Sequence, residues 1–147
     1  DLTAMQRPET GPPQALPPAK AIREALAART PAARITLSSD TGAAYPRHDA
    51  AGRVAGQYMA GPDCLLDVMR ELVRDGLTWG QAVAFATRHV ADLLGLHRKG
   101  RIAPGCDGDL LLLTPAGDVD RVYCRGRLMV EAGTAIVRGP FDGHVSA

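Results

Sequence analysis

A chain of 147 residues, 46% hydrophobic and 22% charged, holds enough apolar material for one folded core or for two pieces of a larger architecture, and this excludes a disordered polymer. The net charge is +1 and the 17 basic residues are dispersed, which excludes the electrostatic footprint of a nucleic-acid binder. No apolar stretch nears the roughly 20 residues of a membrane span, and no secretory signal is visible, so a cytoplasmic protein is expected.

The chain opens Asp1-Leu2-Thr3, without an initiating Met, as a processed sequence or one cut at its front would. Residues 7–18 hold Pro8, Pro12, Pro13, Pro17 and Pro18, and proline removes amide donors and fixes φ, so a loop is predicted. Pro17 and Pro18 then open a helix over 19–29, with Ile22, Ala25 and Leu26 at helical spacing and Pro31 beyond its end. Arg34–Asp40 reads as a buried strand that carries a carboxylate at its C-terminal end, followed by the flexible Thr41-Gly42. Two readings of Asp40 stand side by side. The acid emerges at the mouth of a barrel, where chemistry sits, or it is a turn residue whose side chain bonds the backbone just ahead.

Residues 41–61 are glycine-rich and are predicted to be an irregular loop carrying Tyr45, His48 and Tyr58. A helix over 62–75 starts at Pro62 with Asp63 in its first turn, shows one apolar face (Leu65, Leu66, Val68, Met69, Leu72, Val73) and stops at Asp75-Gly76. Thr78 and Gln81 form a capping box for the next helix, which is expected to bury Ala82, Val83, Phe85, Ala86, Val90, Leu93 and Leu94 before Gly95 ends it. From residue 98 the pattern turns to β. Gly100–Gly105 is turn chemistry, Asp109–Leu113 and Val119–Cys124 are strands, and Arg127–Val130 and Thr134–Val137 make a hairpin around Ala132-Gly133.

Several isolated groups have plain structural readings. His89 is a helix-surface or satisfied core histidine, His97 follows a helix C-terminus, and His144 sits in a tail. Cys64, Cys106 and Cys124 form no C-x-x-C pair and read as reduced thiols; Cys106 lies in a turn with no base beside it. Arg98-Lys99 with Arg101 reads as a small solvated cluster.

The segment Gly100-Arg101-Ile102-Ala103-Pro104-Gly105-Cys106-Asp107-Gly108-Asp109-Leu110-Leu111-Leu112-Leu113 resembles the tail signature of the amidohydrolase superfamily, with Gly108 where an Ala is usual. Ala91–Leu96 and the return hairpin Val122–Val130 resemble it too. Within the superfamily the likeness is to the isoaspartyl dipeptidase (β-aspartyl peptidase) family. It is carried by Asp1-Leu2-Thr3, Arg34–Asp40, the loop Asp49–Val54 and His97–Ile102. The resemblance implies an α/β fold: the C-terminal part of a metal-dependent (β/α)8 TIM barrel over 1–97, then a small β-sandwich segment over 98–147. Asp1-Leu2-Thr3 would end the seventh barrel strand and Ile35–Asp40 would be the eighth. A whole barrel commonly takes ~250 residues. Cut there, the strand at 35–39 would expose an unpaired edge and invite aggregation.

The resemblance also implies chemistry. That family holds two zinc ions between a His-x-His pair, a carboxylated lysine, two further histidines and one Asp. Here only the Asp has a match, Asp40, and His48, His89, His97 and His144 match no ligand position. Asp40 would ligate zinc, take a proton from the attacking water and pass it to the leaving amine. The family's Asp-Gly-x-Gly-Ser pattern places a serine on the substrate's α-carboxylate. Ala44 stands in its place without a hydroxyl, a loss on the order of 1.5–3 kcal/mol, and Tyr45 is the candidate to compensate. The expected partners are a small dipeptide and further copies of the same chain, with no nucleic acid and no membrane. The implied function is zinc-dependent hydrolysis of isoaspartyl dipeptides, the chain alone being inactive. The alternatives are an N-acyl amino acid deacylase or cyclic-amide hydrolase, and a non-enzymatic α/β binding module.

Overall fold

The computed structural model describes residues 1–4, 16–59 and 61–139, in two compact units, Asp1–Leu96 and His97–Ala147. The proline-rich loop therefore lies outside the described residues as far as residue 15, as does His144.

The first unit begins with a pair of parallel strands, β1 (Leu2–Thr3) and β2 (Leu37–Ser38), in the register Leu2↔Leu37 and Thr3↔Ser38. Between them lies helix α1 (Pro18–Ala27), and a 3-10 turn at Ala32–Arg34 leads into β2. The strand is shorter than the expected Arg34–Asp40: the 3-10 turn takes Arg34, the pairing with β1 covers only Leu37 and Ser38, and Asp40 has a positive φ. Alternation sorts its residues. Ile35 and Leu37 are buried in the core with Ala4, Ala19, Ile22, Val68, Met69, Leu72, Ala82 and Phe85. Burying a side chain of this size contributes roughly 1.5–3 kcal/mol. Thr36 and Ser38 point the other way, and both donate to the carboxylate of Asp1, at 2.8 and 2.7 Å.

Both edges of β2 are occupied. On one, the amides of Leu2 and Ala4 donate to the carbonyls of Thr36 and Ser38. On the other, the Leu37 amide donates to the Phe85 carbonyl at 2.9 Å, and Nδ1 of His89 lies 3.1 Å from the Ile35 carbonyl. The expected open edge is thus corrected at both of these groups, and the agents that close it come from a break in a helix. The sequence from Thr78 to Leu94 forms two short helices, α3 (Trp79–Ala84) and α4 (Arg88–Leu93), rather than one. At the break, Phe85 turns its carbonyl to β2 instead of continuing the helical ladder. The Thr78–Gln81 capping box is present in full. The expected burial of Leu93 and Leu94 fails: after the break they face outward, 72% and 63% exposed. His89 is a satisfied core histidine, 6% exposed and edge-on to Phe85.

Helix α2 (Cys64–Arg74) buries Val68, Met69 and Leu72 and ends at Gly76, whose φ of 105° lets the Leu77 amide fold back onto the Leu72 carbonyl. Residues 41–61 depart from the expected irregular loop. They contain an antiparallel ribbon of β3 (Ala44–His48) and β4 (Val54–Met59). Its far end is held by Asp49, whose Oδ1 accepts from the amides of Ala51 and Arg53 and whose Oδ2 accepts from the Arg53 guanidinium. These donors hold the Asp49 carboxyl below the usual carboxylate range, the Arg53 amide most of all.

The second unit carries β5 (Leu110–Leu113), β6 (Val119–Cys124), β7 (Arg127–Glu131) and β8 (Thr134–Ala135) in one antiparallel sheet of that order. A sandwich would need a second sheet against it, and none is present among the described residues of this unit. The turns Arg125-Gly126 and Ala132-Gly133 both have positive φ at each residue, the geometry that matches the twist of a hairpin. Asp109 accepts from the Arg125 amide at 2.8 Å, and the Gly108 carbonyl accepts from the Gly126 amide at 2.8 Å. A Cβ on Gly108 would sit 3.0 Å from the Gly126 nitrogen, so a residue without a side chain suits this approach. Arg98 and Lys99 are not merely solvated. Arg98 pairs with Asp107 at 2.7 Å, and Lys99 bridges Asp107 and Asp109. No helix among the described residues is long and apolar enough to cross a membrane.

Two outcomes follow from these contacts. Replacing His89 with Ala removes the partner of the buried Ile35 carbonyl, and urea unfolding followed by Trp79 fluorescence should show a loss on the order of 1–3 kcal/mol. In the second unit, the Lys99 ammonium holds Asp107 and Asp109 below their ordinary 3.8, and the two carboxylates hold Lys99 above its ordinary 10.5. Carboxylates lowered on folding stabilise above 3.8 and lose that contribution as pH falls through their folded values; the raised lysine stabilises below 10.5 and loses it above. Amide exchange in β5–β7, measured against pH, should therefore accelerate at both extremes. Lys99→Met should flatten both limbs.

Candidate active site

Asp40 leaves the C-terminal end of β2 with φ of 50°, a left-handed conformation that Asp tolerates better than most residues. A turn does form here, but the Asp40 side chain does not build it. The Asp40 carbonyl accepts from the Ala43 amide at 3.1 Å, and the Thr41 amide and hydroxyl both donate to the Ser39 hydroxyl, at 3.3 and 2.7 Å. Gly42, with φ of 88°, completes the reversal. The Asp40 carboxylate is left exposed at the end of the strand.

Two hydroxyls meet it. Tyr45, on β3, donates to Oδ2 at 2.7 Å, and Thr3, on β1, donates to the same oxygen at 3.4 Å. Among the described residues no hydrogen bond reaches Oδ1. The strand pair below continues the polar face: Thr3 and Ser38 on the two strands, with Asp1 and Thr36 just before them, lie opposite Leu2, Ile35 and Leu37 on the core side. A carboxylate so placed can accept a proton on one oxygen while the other is held, or offer one oxygen to a cation.

The expected site residues fall out unevenly. Asp40 and Tyr45 are brought together, and the Tyr45 hydroxyl is turned to the acid. Ala44 begins β3 opposite Met59 and is exposed, presenting a methyl group. His48, which matches no ligand position, lies at the far end of β3 beside the bulge that follows Arg47. Thr3 was not among the expected site residues. Its signal is the spacing of Asp1 and Thr3, which alternates as a strand facing Thr36 and Ser38 does, but two residues are too few to be read as a strand without their partner. Cys64 lies near the site, with its Sγ 3.9 Å from the Ser39 carbonyl, and burial pushes its thiol up. A neutral thiol there is a packing group.

A zinc site is built from three or four His, Cys or carboxylate ligands. Among the described residues no three such side chains converge, and Asp40 is surrounded by hydroxyls. These residues by themselves do not fit a zinc ion.

Residues 17–129 match the model of the amidohydrolase family. Adenine deaminase of Petrotoga mobilis is 34% identical over 71 residues, which are 47% of this chain and 12% of that protein. The fold is similar to that of β-aspartyl dipeptidase from Fervidobacterium islandicum AW-1, solved in complex with β-Asp-Leu dipeptide. That likeness has a TM-score of 0.74 at 22% identity and covers 88% of this chain and 34% of that one. N-acetylglucosamine-6-phosphate deacetylase from Thermotoga maritima is similar at a TM-score of 0.53 and 18% identity, over 69% of this chain and 32% of that one. The chain spans about a third of each solved relative and less of the deaminase.

Proposed function

The chain belongs to the amidohydrolase family, and from that premise we propose that it is the part of an amide hydrolase that supplies the proton-carrying carboxylate, Asp40, for cleavage of the isopeptide bond of isoaspartyl dipeptides. The observation that supports this reading is the carboxylate itself: exposed at the C-terminal end of a parallel strand, on a polar face, with Oδ2 held and, among the described residues, no hydrogen bond on Oδ1.

In the proposed reaction water adds to the amide carbonyl carbon as Oδ1 accepts its proton. The same oxygen then returns that proton to the amide nitrogen as the carbon–nitrogen bond breaks, leaving a carboxylic acid and an amine. Proton transfer by a positioned carboxylate is worth about 10²–10⁴-fold in rate. The family generally binds metals. In this reading a metal, zinc by the resemblance, takes its remaining ligands from outside the described residues, and the chain alone turns nothing over. The substrate partner is a small dipeptide, and a homo-oligomer and a cytoplasmic setting complete the proposal.

Ala44 favours a second reading within the same family. A residue without a hydroxyl at this position suits an acyl or cyclic-amide substrate better than one whose carboxylate needs a donor there. The deaminase relative, which by its name removes an amino group from adenine, keeps the class of carbon–nitrogen bond open.

The test uses the longest product of the gene, assayed with β-Asp-Leu and with N-acyl amino acids. β-Asp-Leu should be the better substrate, and Asp40→Asn should lower kcat about 10²–10⁴-fold. Preference for N-acyl amino acids would move the substrate to the second reading. An Asp40→Asn variant with full activity would remove Asp40 from the chemistry.

A further inference from the structure

We infer that Tyr45 is a positioning residue for the Asp40 carboxylate, so that the β3–β4 ribbon decides which carboxylate oxygen does the chemistry; this rests on the hydrolase reading above. An exposed aspartate at a strand end can turn about its last torsion, and that rotation exchanges its two oxygens. A proton carrier works only when one lone pair faces the reacting atoms. Here both donors, Tyr45 at 2.7 Å and Thr3 at 3.4 Å, meet Oδ2. Pinning Oδ2 presents Oδ1.

Of the two, Tyr45 carries more of the orientation. Its bond has the ordinary hydroxyl length, whereas 3.4 Å lies beyond that range. Its arm is a rigid ring, half-buried, that loses little freedom when it docks. The Asp40–Ala43 turn sends the chain back on itself, and five residues after the acid the strand delivers the hydroxyl. A two-stranded ribbon is marginal on its own. Asp49 clips the distal end of this one, and the Tyr45–Asp40 bond ties the proximal end to the strand that bears the acid. The role differs from the substrate contact expected of Tyr45 in the sequence.

The experiment has two arms. In the 147-residue chain, amide hydrogen exchange is measured over residues 44–59. Tyr45→Phe and Asp40→Gly, the latter chosen because glycine accepts the positive φ, should each speed it roughly five- to tenfold, and the double variant should go no further than the faster single. Unchanged exchange in Tyr45→Phe would overturn the proposal. In the longest product of the gene, Tyr45→Phe should lower kcat for β-Asp-Leu about tenfold with KM unchanged, because the bond that orients the carboxylate is lost. A raised KM with kcat intact would make Tyr45 a substrate contact and overturn the positioning role, and unchanged constants would overturn it as well. If the unsubstituted protein hydrolyses neither β-Asp-Leu nor N-acyl amino acids, the hydrolase reading falls and the positioning role falls with it. Failure of the Tyr45 claim alone is recognised by normal turnover in the parent.

Discussion

Leu37 reaches the Phe85 carbonyl through its amide and Ile35 meets His89 through its carbonyl, while Thr36 and Ser38 turn their carbonyls to the amides of Leu2 and Ala4. A strand only two residues long would ordinarily be too weak to aim a side chain. This one is held from both sides, and its inward residues, Ile35 and Leu37, are locked in the core by Ile22, Leu72 and Phe85. The direction of Asp40 is therefore inherited. Once Leu37 is committed to the core, period-two alternation commits Thr36 and Ser38 to the opposite face, and the acid follows two residues beyond a strand bonded on both edges.

The turn expected at Asp40 forms through its backbone, by φ of 50° and the bond from Ala43, and not through its side chain. Its side chain is spared that work because Ser39, one residue earlier, takes the Thr41 amide. An aspartate that capped its own turn would have its carboxylate spent on the backbone. The serine pair Ser38-Ser39 divides the labour: Ser38 anchors Asp1 on the polar face, and Ser39 stabilises the turn.

What was legible in the sequence was what is decided locally. Gly76 and Gly95 end helices because the chain needs positive φ there, and the Thr78–Gln81 box closes within three residues. The strand Val119–Cys124 is bounded by its own turn chemistry. What was not legible was decided at a distance. The periodicity from Thr78 to Leu94 is helical throughout, and nothing in it announces that Phe85 will give its carbonyl to Leu37, 48 positions earlier; yet the helix breaks at that residue, and beyond the break Leu93 and Leu94 face outward. The β3–β4 ribbon was hidden for another reason. Pro46, Gly52 and Gly56 read as breakers, but Pro46 lies in a two-stranded ribbon, where one side of each strand needs no partner, Gly52 is in the turn and Gly56 faces Arg47 across it.

The motif that carries the family resemblance and the residue that carries the proposed chemistry lie in different units and do different physical work. In Gly100–Leu113, Asp107 and Asp109 are bound by Arg98 and Lys99, Asp109 also holds the Arg125 amide, and Gly108 lets the backbone approach Gly126. All of these fasten one hairpin turn to the edge of a sheet, a task that is the same whatever the substrate. In the proposed reading the substrate is met instead around Asp40, where Ala44 and Tyr45 begin the β3–β4 ribbon. A family can thus be recognised from its fasteners while its substrate stays open. In the proposed reading the substrate question reduces to what can approach Oδ1 while Tyr45 keeps hold of Oδ2.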